Sequence, residues 1–171
     1  MSLIQCISPV DGSIFTEKET ASEKKIQEAL KSSKSAQKKW MQIPIHERAA
    51  LSTRAVDLIV EDCKEISEEL TWQMGRPITQ APGEVSGFEE RARHMISIAE
   101  TSLADITPAP KDDFKRYIQR EPLGVAFVVA PWNYPYLTSV NAIIPALLAG
   151  NSVILKHSAQ TPLCAERLQK A

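Results

Sequence analysis

GVAFVVAPWNYPYLTSVNAIIPALLAGNSVILK, residues 124–156, decides the fold. Its first eight residues, 124–131, are a short valine-rich run without alternation, the pattern of a parallel strand covered on both faces. The stretch from Asn133 to Gly150 reads as a helix closed by glycine, and NSVILKHS, from 151, as a second buried strand. TPLCAERLQKA then opens another helix, with Thr161 as N-cap and Pro162 at the first helical position. Strand, helix, strand, helix is the start of a parallel, doubly wound sheet. The turn after the first strand is chemically odd. It places Trp132 and Asn133 where Gly, Asp or Ser usually makes a turn.

Toward the N-terminus the texture is helical. Residues 3–19 read as two short strands around a turn at Asp11-Gly12. A helix follows, with Thr20 and Glu23 spaced as a capping box. Its lysines, from Lys24 to Lys39, form the solvated face of an amphipathic helix rather than a nucleic-acid patch, since no aromatics interleave with them. A second helix is expected from Pro44 to Met74, stopped by Gly75 and Pro77, and a third from about Pro82 to Leu103. TPAPKDD, 107–113, is a proline-rich connector, and FKRYIQREP after it reads as a strand at a sheet edge.

Composition narrows the function classes. The chain has 171 residues, enough for one domain and its core. Twenty Lys and Arg against twenty-one Asp and Glu give a formal net charge of −1, which offers no electrostatic attraction to nucleic acid or an anionic membrane. No apolar run approaches a membrane span, and the N-terminus lacks the pattern of a signal peptide, so a cytoplasmic location is expected. Cys6, Cys63 and Cys164 are far apart and form no C-x-x-C pair, and the three histidines are scattered. Neither a disulfide framework nor a metal site is expected.

EPLGV, PWN, PALLAGN, and a strand ending in Lys156 before QTP, in that order, closely resemble the aldehyde dehydrogenase superfamily. QMGRP, 73–77, fits the same family's N-terminal region. The resemblance implies an α/β fold: N-terminal strands and amphipathic helices over 1–110, a projecting β arm for oligomerisation over 111–123, and the first βαβα portion of a Rossmann-like NAD(P)-binding sheet over 124–171. It implies an oxidoreductase, a homo-oligomer, that oxidises a small aldehyde through a cysteine thiohemiacetal with NAD or NADP.

Residue by residue, the resemblance assigns Asn133 as the side-chain donor to the oxyanion of that intermediate. From spacing alone Asn133 reads rather as a polar cap for the helix that follows it. Val129, Ala130, Pro131 and Trp132 would line the cofactor side of the turn, although Trp132 also reads as a buried anchor. Tyr134 and Leu137 would form part of the substrate tunnel. Lys156 would bond the adenosine ribose, at the strand end where open α/β sheets bind ligands. Three residues on, where NAD-preferring relatives often carry glutamate, stands Ala159. With Lys156 and Ser158 available to a 2′-phosphate, NADP is favoured over NAD.

The family's nucleophilic cysteine and glutamate base lie downstream of this region. Cys164 begins a helix but lacks the surrounding pattern, and it reads as a small buried hydrophobe. The expectation is the N-terminal portion of a longer enzyme, inactive by itself. The alternative is a non-catalytic association or nucleotide-binding module.

Overall fold

The computed structural model describes residues 2–171. Two strands, β1 (Leu3–Ile7) and β2 (Ile14–Glu19), pair antiparallel from Leu3 opposite Glu19 to Ile7 opposite Ile14. Gly12 supplies the left-handed turn between them, at φ 78°, and Asp11 Oδ1 accepts the Ser13 amide at 2.9 Å. The helix α1 (Glu23–Trp40) follows. Its cap is Ser22, whose side chain accepts the Lys25 amide, and not Thr20. Thr20 is instead drawn to the start of β1, where its hydroxyl accepts the Ser2 amide at 3.1 Å.

The long helix expected over 44–74 is two helices, α2 (Ile45–Glu61) and α3 (Cys63–Met74), which meet at Asp62. Gly75 ends α3 in the left-handed conformation, as its position in the sequence suggests. The 22-residue α4 (Pro82–Leu103) begins on its proline.

The second half contains β3 (Val125–Val129), α5 (Pro135–Leu148), β4 (Ser152–Lys156) and α6 (Leu163–Lys170). The two strands run parallel, in register from Val125 opposite Ser152 to Val129 opposite Lys156. Asn151 ties this unit together. Its Nδ2 donates to the Ala146 carbonyl at the end of α5, while its Oδ1 accepts the Gly124 amide just before β3.

The core lies among α2, α3, α4 and α5, where Val56, Ile66, Leu70, Val85, Val140 and Leu148 are almost wholly buried. Phe88 of α4 meets Tyr136 of α5 edge to face, with ring centroids 6.4 Å apart.

Three further expectations change. β3 is not covered on both faces: Phe127 and Val129, two residues apart and therefore on one face, are 67% and 61% exposed. Residues 114–122 form no continuous strand. Ile118 makes only an isolated bridge to Ile106, and Phe114 one to Lys111, because no longer segment of the chain lies alongside them. Thr161 does not cap α6: its hydroxyl is buried with no hydrogen-bond partner among the described residues.

Candidate active and cofactor site

The carboxyl ends of β3 and β4 lie side by side, and the turns that leave them define the site. Val129 sits opposite Lys156, and the Ala130 amide donates to the Lys156 carbonyl at 3.0 Å. Ala130 is buried and Pro131 half-buried, while Lys156 and Ala159 are exposed. Ser158 Oγ accepts the Gln160 amide at 3.2 Å, and the Ser158 carbonyl faces His157 Nδ1 at 2.9 Å. A carbonyl only accepts, so that ring nitrogen carries the hydrogen.

Trp132 is 53% exposed, which removes the reading of it as a buried anchor. Asn133 is exposed too, and its carboxamide makes no hydrogen bond to a described residue. Nor does it cap the helix. The leading amides of α5, those of Tyr136 and Leu137, both donate to Glu84 Oε1, at 2.9 and 3.4 Å. Leu137 is half-buried against α4, where Gly87 leaves room for it.

Glu84 lies on the first turn of α4 and is fully buried. Its other oxygen accepts from Arg76, whose guanidinium also donates to the Asn133 carbonyl. The same guanidinium lies 4.3 Å from the centroid of the Tyr134 ring. Burial pushes the Glu84 carboxyl up, against the opposing pull of the Tyr136 amide, Arg76 and the Leu137 amide.

The second turn is held from the same loop. Gln73, fully buried at the end of α3, accepts the Leu163 amide on Oε1 at 3.0 Å. Its carbonyl accepts from the Gln160 side chain. Three residues apart, Gln73 and Arg76 therefore pin the turns that follow β4 and β3.

Sequence reasoning placed QMGRP in a family's N-terminal region but gave its side chains no role, and it passed over Glu84 altogether. The only local signal was a charged residue on the first turn of a helix whose other inward positions are apolar.

Among the described residues no group of three His, Cys, Asp or Glu side chains is placed to hold a metal ion, and no helix is long and apolar enough to cross a membrane. Burial pushes the Cys164 thiol up to about 12, and Cys6 is buried as well.

Comparison with known proteins gives a single family. Betaine aldehyde dehydrogenase 2 of Rhizobium meliloti is 33% identical over 166 residues, 96% of this chain and 34% of its own length. Among solved structures, the NADP-dependent glyceraldehyde-3-phosphate dehydrogenase of Bacillus halodurans C-125, complexed with NADP, superposes with a TM-score of 0.88 at 32% identity. An NAD-dependent benzaldehyde dehydrogenase from Corynebacterium glutamicum does so with 0.88 at 28%. Each structural match covers 99% of this chain and 37% of the other. The chain thus spans about a third of the length of the curated relatives it matches. The family model for aldehyde dehydrogenases matches residues 1–171, and the chain belongs to that family.

Proposed function

We propose that this segment supplies the oxyanion donor and part of the cofactor floor of an NAD(P)-dependent aldehyde dehydrogenase that converts an aldehyde to its carboxylic acid. The observation that carries the reading is at Asn133. Its backbone is fixed by Arg76, while its carboxamide is exposed at the end of β3 without an internal partner. A donor held in place but uncommitted can meet a developing negative charge without reorganising.

The residues around it fit a dinucleotide. Residues 128–134 and 156–162 contain no carboxylate, Lys156 is exposed at the strand end, and Ala130 is small enough for close approach. When bound, NAD or NADP supplies the hydride acceptor. Val129, Ala130, Pro131 and Trp132 form its floor, Lys156 binds the adenosine ribose, and Ser158 together with Ala159 leaves room for a 2′-phosphate. NADP is accordingly preferred. Tyr134 and Leu137 form a wall of the aldehyde tunnel.

In this division of labour residues 1–110 buttress the cofactor domain, 111–123 join subunits of a homo-oligomer, and 124–171 open the nucleotide-binding sheet. None of the chain's three thiols is the nucleophile. Cys6 and Cys164 are buried, and Cys63 stands at the start of α3. Residues 1–171 alone therefore give no turnover.

Calorimetric titration with NADP and then NAD tests the cofactor floor. Tighter binding of NADP, weakened by Lys156→Ala, is expected, whereas equal affinities unaffected by that substitution overturn the assignment. In the complete enzyme, Asn133→Ala is expected to lower kcat by roughly 10²–10³-fold. An unchanged kcat removes Asn133 from the chemistry.

A further inference from the structure

We propose that Arg76 and Glu84 are positioning residues for Asn133: a buried ion pair that fixes the backbone on both sides of the turn so that the carboxamide is held ready. The inference rests on the oxyanion reading of Asn133 given above.

The pair holds three backbone groups of the turn. Arg76 takes the Asn133 carbonyl and lies against the Tyr134 ring. Glu84 takes the amides of Tyr136 and Leu137. Between these contacts, Pro135 has a fixed φ and no amide to satisfy. The Tyr134 carbonyl accepts the Thr138 amide at 3.0 Å as α5 begins. From 133 to 137 the backbone is thus held at the carbonyls of Asn133 and Tyr134 and at the amides of Tyr136 and Leu137, while the Asn133 carboxamide has no partner among the described residues.

A purely structural cap has a simpler solution. α1 uses its own Ser22 hydroxyl, 3.3 Å from the Lys25 amide. α5 instead imports a carboxylate from α4, buries it completely, and neutralises it with a guanidinium that is 10% exposed. Taking two charges out of water is far more costly than a serine cap. Such a departure from local economy is expected where a site requires rigidity. The geometry of the guanidinium suits the task, because a planar fork can hold two acceptors in fixed directions, which an ammonium cannot.

The mechanism of action is therefore indirect, since neither side chain reaches the reacting atoms. Loosening the fork lets the Asn133 peptide rotate and its carboxamide wander. A misplacement of about 1 Å costs on the order of 10²-fold in a well-oriented site. A partial loosening is expected to cost about tenfold.

Kinetics of the complete enzyme that carries this segment test the proposal, in a cycle of Arg76→Lys, Asn133→Ala and the double variant. Arg76→Lys keeps the charge beside Glu84 and removes the fork. The expected result is a kcat about tenfold lower, with the KM for aldehyde and the melting temperature little changed. In the Asn133→Ala background the same substitution should cost nothing further.

Two results overturn the proposal while leaving Asn133 in its role. One is a kcat within twofold of the unmodified enzyme for Arg76→Lys when Asn133→Ala is slow. The other is a double variant whose two losses multiply, which would mean that Arg76 acts by a route other than Asn133. If Asn133→Ala itself is as fast as the unmodified enzyme, the oxyanion reading falls instead, and the positioning role falls with it. Glu84→Gln keeps an acceptor for the Tyr136 amide and removes the charge that holds Arg76. It is expected to show the same coupled loss, and it decides the matter if Arg76→Lys fails to fold.

Discussion

Gln73 Oε1 accepts the backbone amide of Leu163 at 3.0 Å, across 90 residues of sequence. This bond gives α6 the cap that Thr161 does not supply. Gln73 is fully buried, and its amide nitrogen also donates to the Glu69 carbonyl at 3.2 Å. Replacing it with leucine preserves much of the volume and leaves the Leu163 amide without an acceptor. A buried donor left unpaired costs about 1–3 kcal/mol. Denaturant unfolding of Gln73→Leu should show a loss of that size. Because the turn that leaves β4 runs directly into Leu163, whose amide this side chain holds, NADP affinity should fall too. A stable variant with normal affinity would mean that the turn holds itself.

Gly87 makes a prediction about selectivity. It sits within α4, and a Cβ there would lie 2.7 Å from Leu137 Cδ1. Something has to move, and the end of a leucine side chain moves more easily than either helix. Glycine inside a helix is less favourable than alanine by roughly 0.5–1 kcal/mol, so Gly87→Ala should leave stability unchanged or slightly raised. The displaced Leu137 would reshape the proposed tunnel wall. The kcat/KM ratio between a bulky and a small aldehyde is expected to change by about tenfold, the scale of a methylene-sized change in an apolar pocket. An unchanged ratio would place Leu137 outside the tunnel. A marked loss of stability would show that the helix pair, not the leucine, absorbs the strain.

The thiols give a third test. Cys164 is 2% exposed, and burial pushes it up to about 12, so almost no thiolate forms near pH 8. Cys6 is buried and shifted in the same direction for the same reason. Under native conditions peptide mapping after alkylation should find Cys63, which is half-buried, modified well before the other two. Cys164→Ala should leave aldehyde turnover in the complete enzyme intact. Rapid native labelling of Cys164, or loss of turnover on its replacement, would reopen it as a reactive residue.

Much of the half that runs from β3 to α6 was legible because its signals are local. The valine-rich run, Gly150 and the second strand follow one another with the right spacing, and β3, α5, β4 and α6 form where they were read. The break at Asp62 was not legible, and the reason is physical. The Asp62 amide still donates to the Leu58 carbonyl, and the Ile66 amide to that of Asp62. The helical hydrogen bonds are nearly continuous through the break, so no glycine or proline is needed to mark the place. The apolar pattern likewise continues through the break, with Val56 and Ile59 before it and Ile66 and Leu70 after it, all buried.

At the candidate site the chemically odd turn was visible, but its support was not. Asn133 stands out because a carboxamide after a buried strand is unusual. Arg76 and Glu84 resemble ordinary surface charges, eight residues apart around two prolines. Only the approach of α5 to α4 turns them into a buried pair. The same is true of Gln73, whose partner lies beyond the whole intervening chain. Local patterning reveals which residues are available for chemistry, whereas the residues that hold them still depend on packing between distant elements.

Asp62, at the junction of α2 and α3, offers a test that varies only pH. Its carboxylate pairs with Arg167 at 2.6 Å and lies 3.6 Å from Lys170, so it fastens α6 to the junction. The hydrogen bond from Arg167 is the main reason its carboxyl titrates below the usual aspartate value. An acid whose folded pKa is lowered adds stability above its unfolded pKa, about 3.9 for aspartate, and loses that contribution as the pH falls through the folded value. Asp62→Asn should therefore be less stable than the unmodified protein at neutral pH. The two melting temperatures should converge only as the solution is taken below about pH 4. A difference that persists unchanged at lower pH would mean that the asparagine disturbs the junction sterically. No difference at neutral pH would mean that solvent screening cancels the attraction, as it does for many exposed pairs.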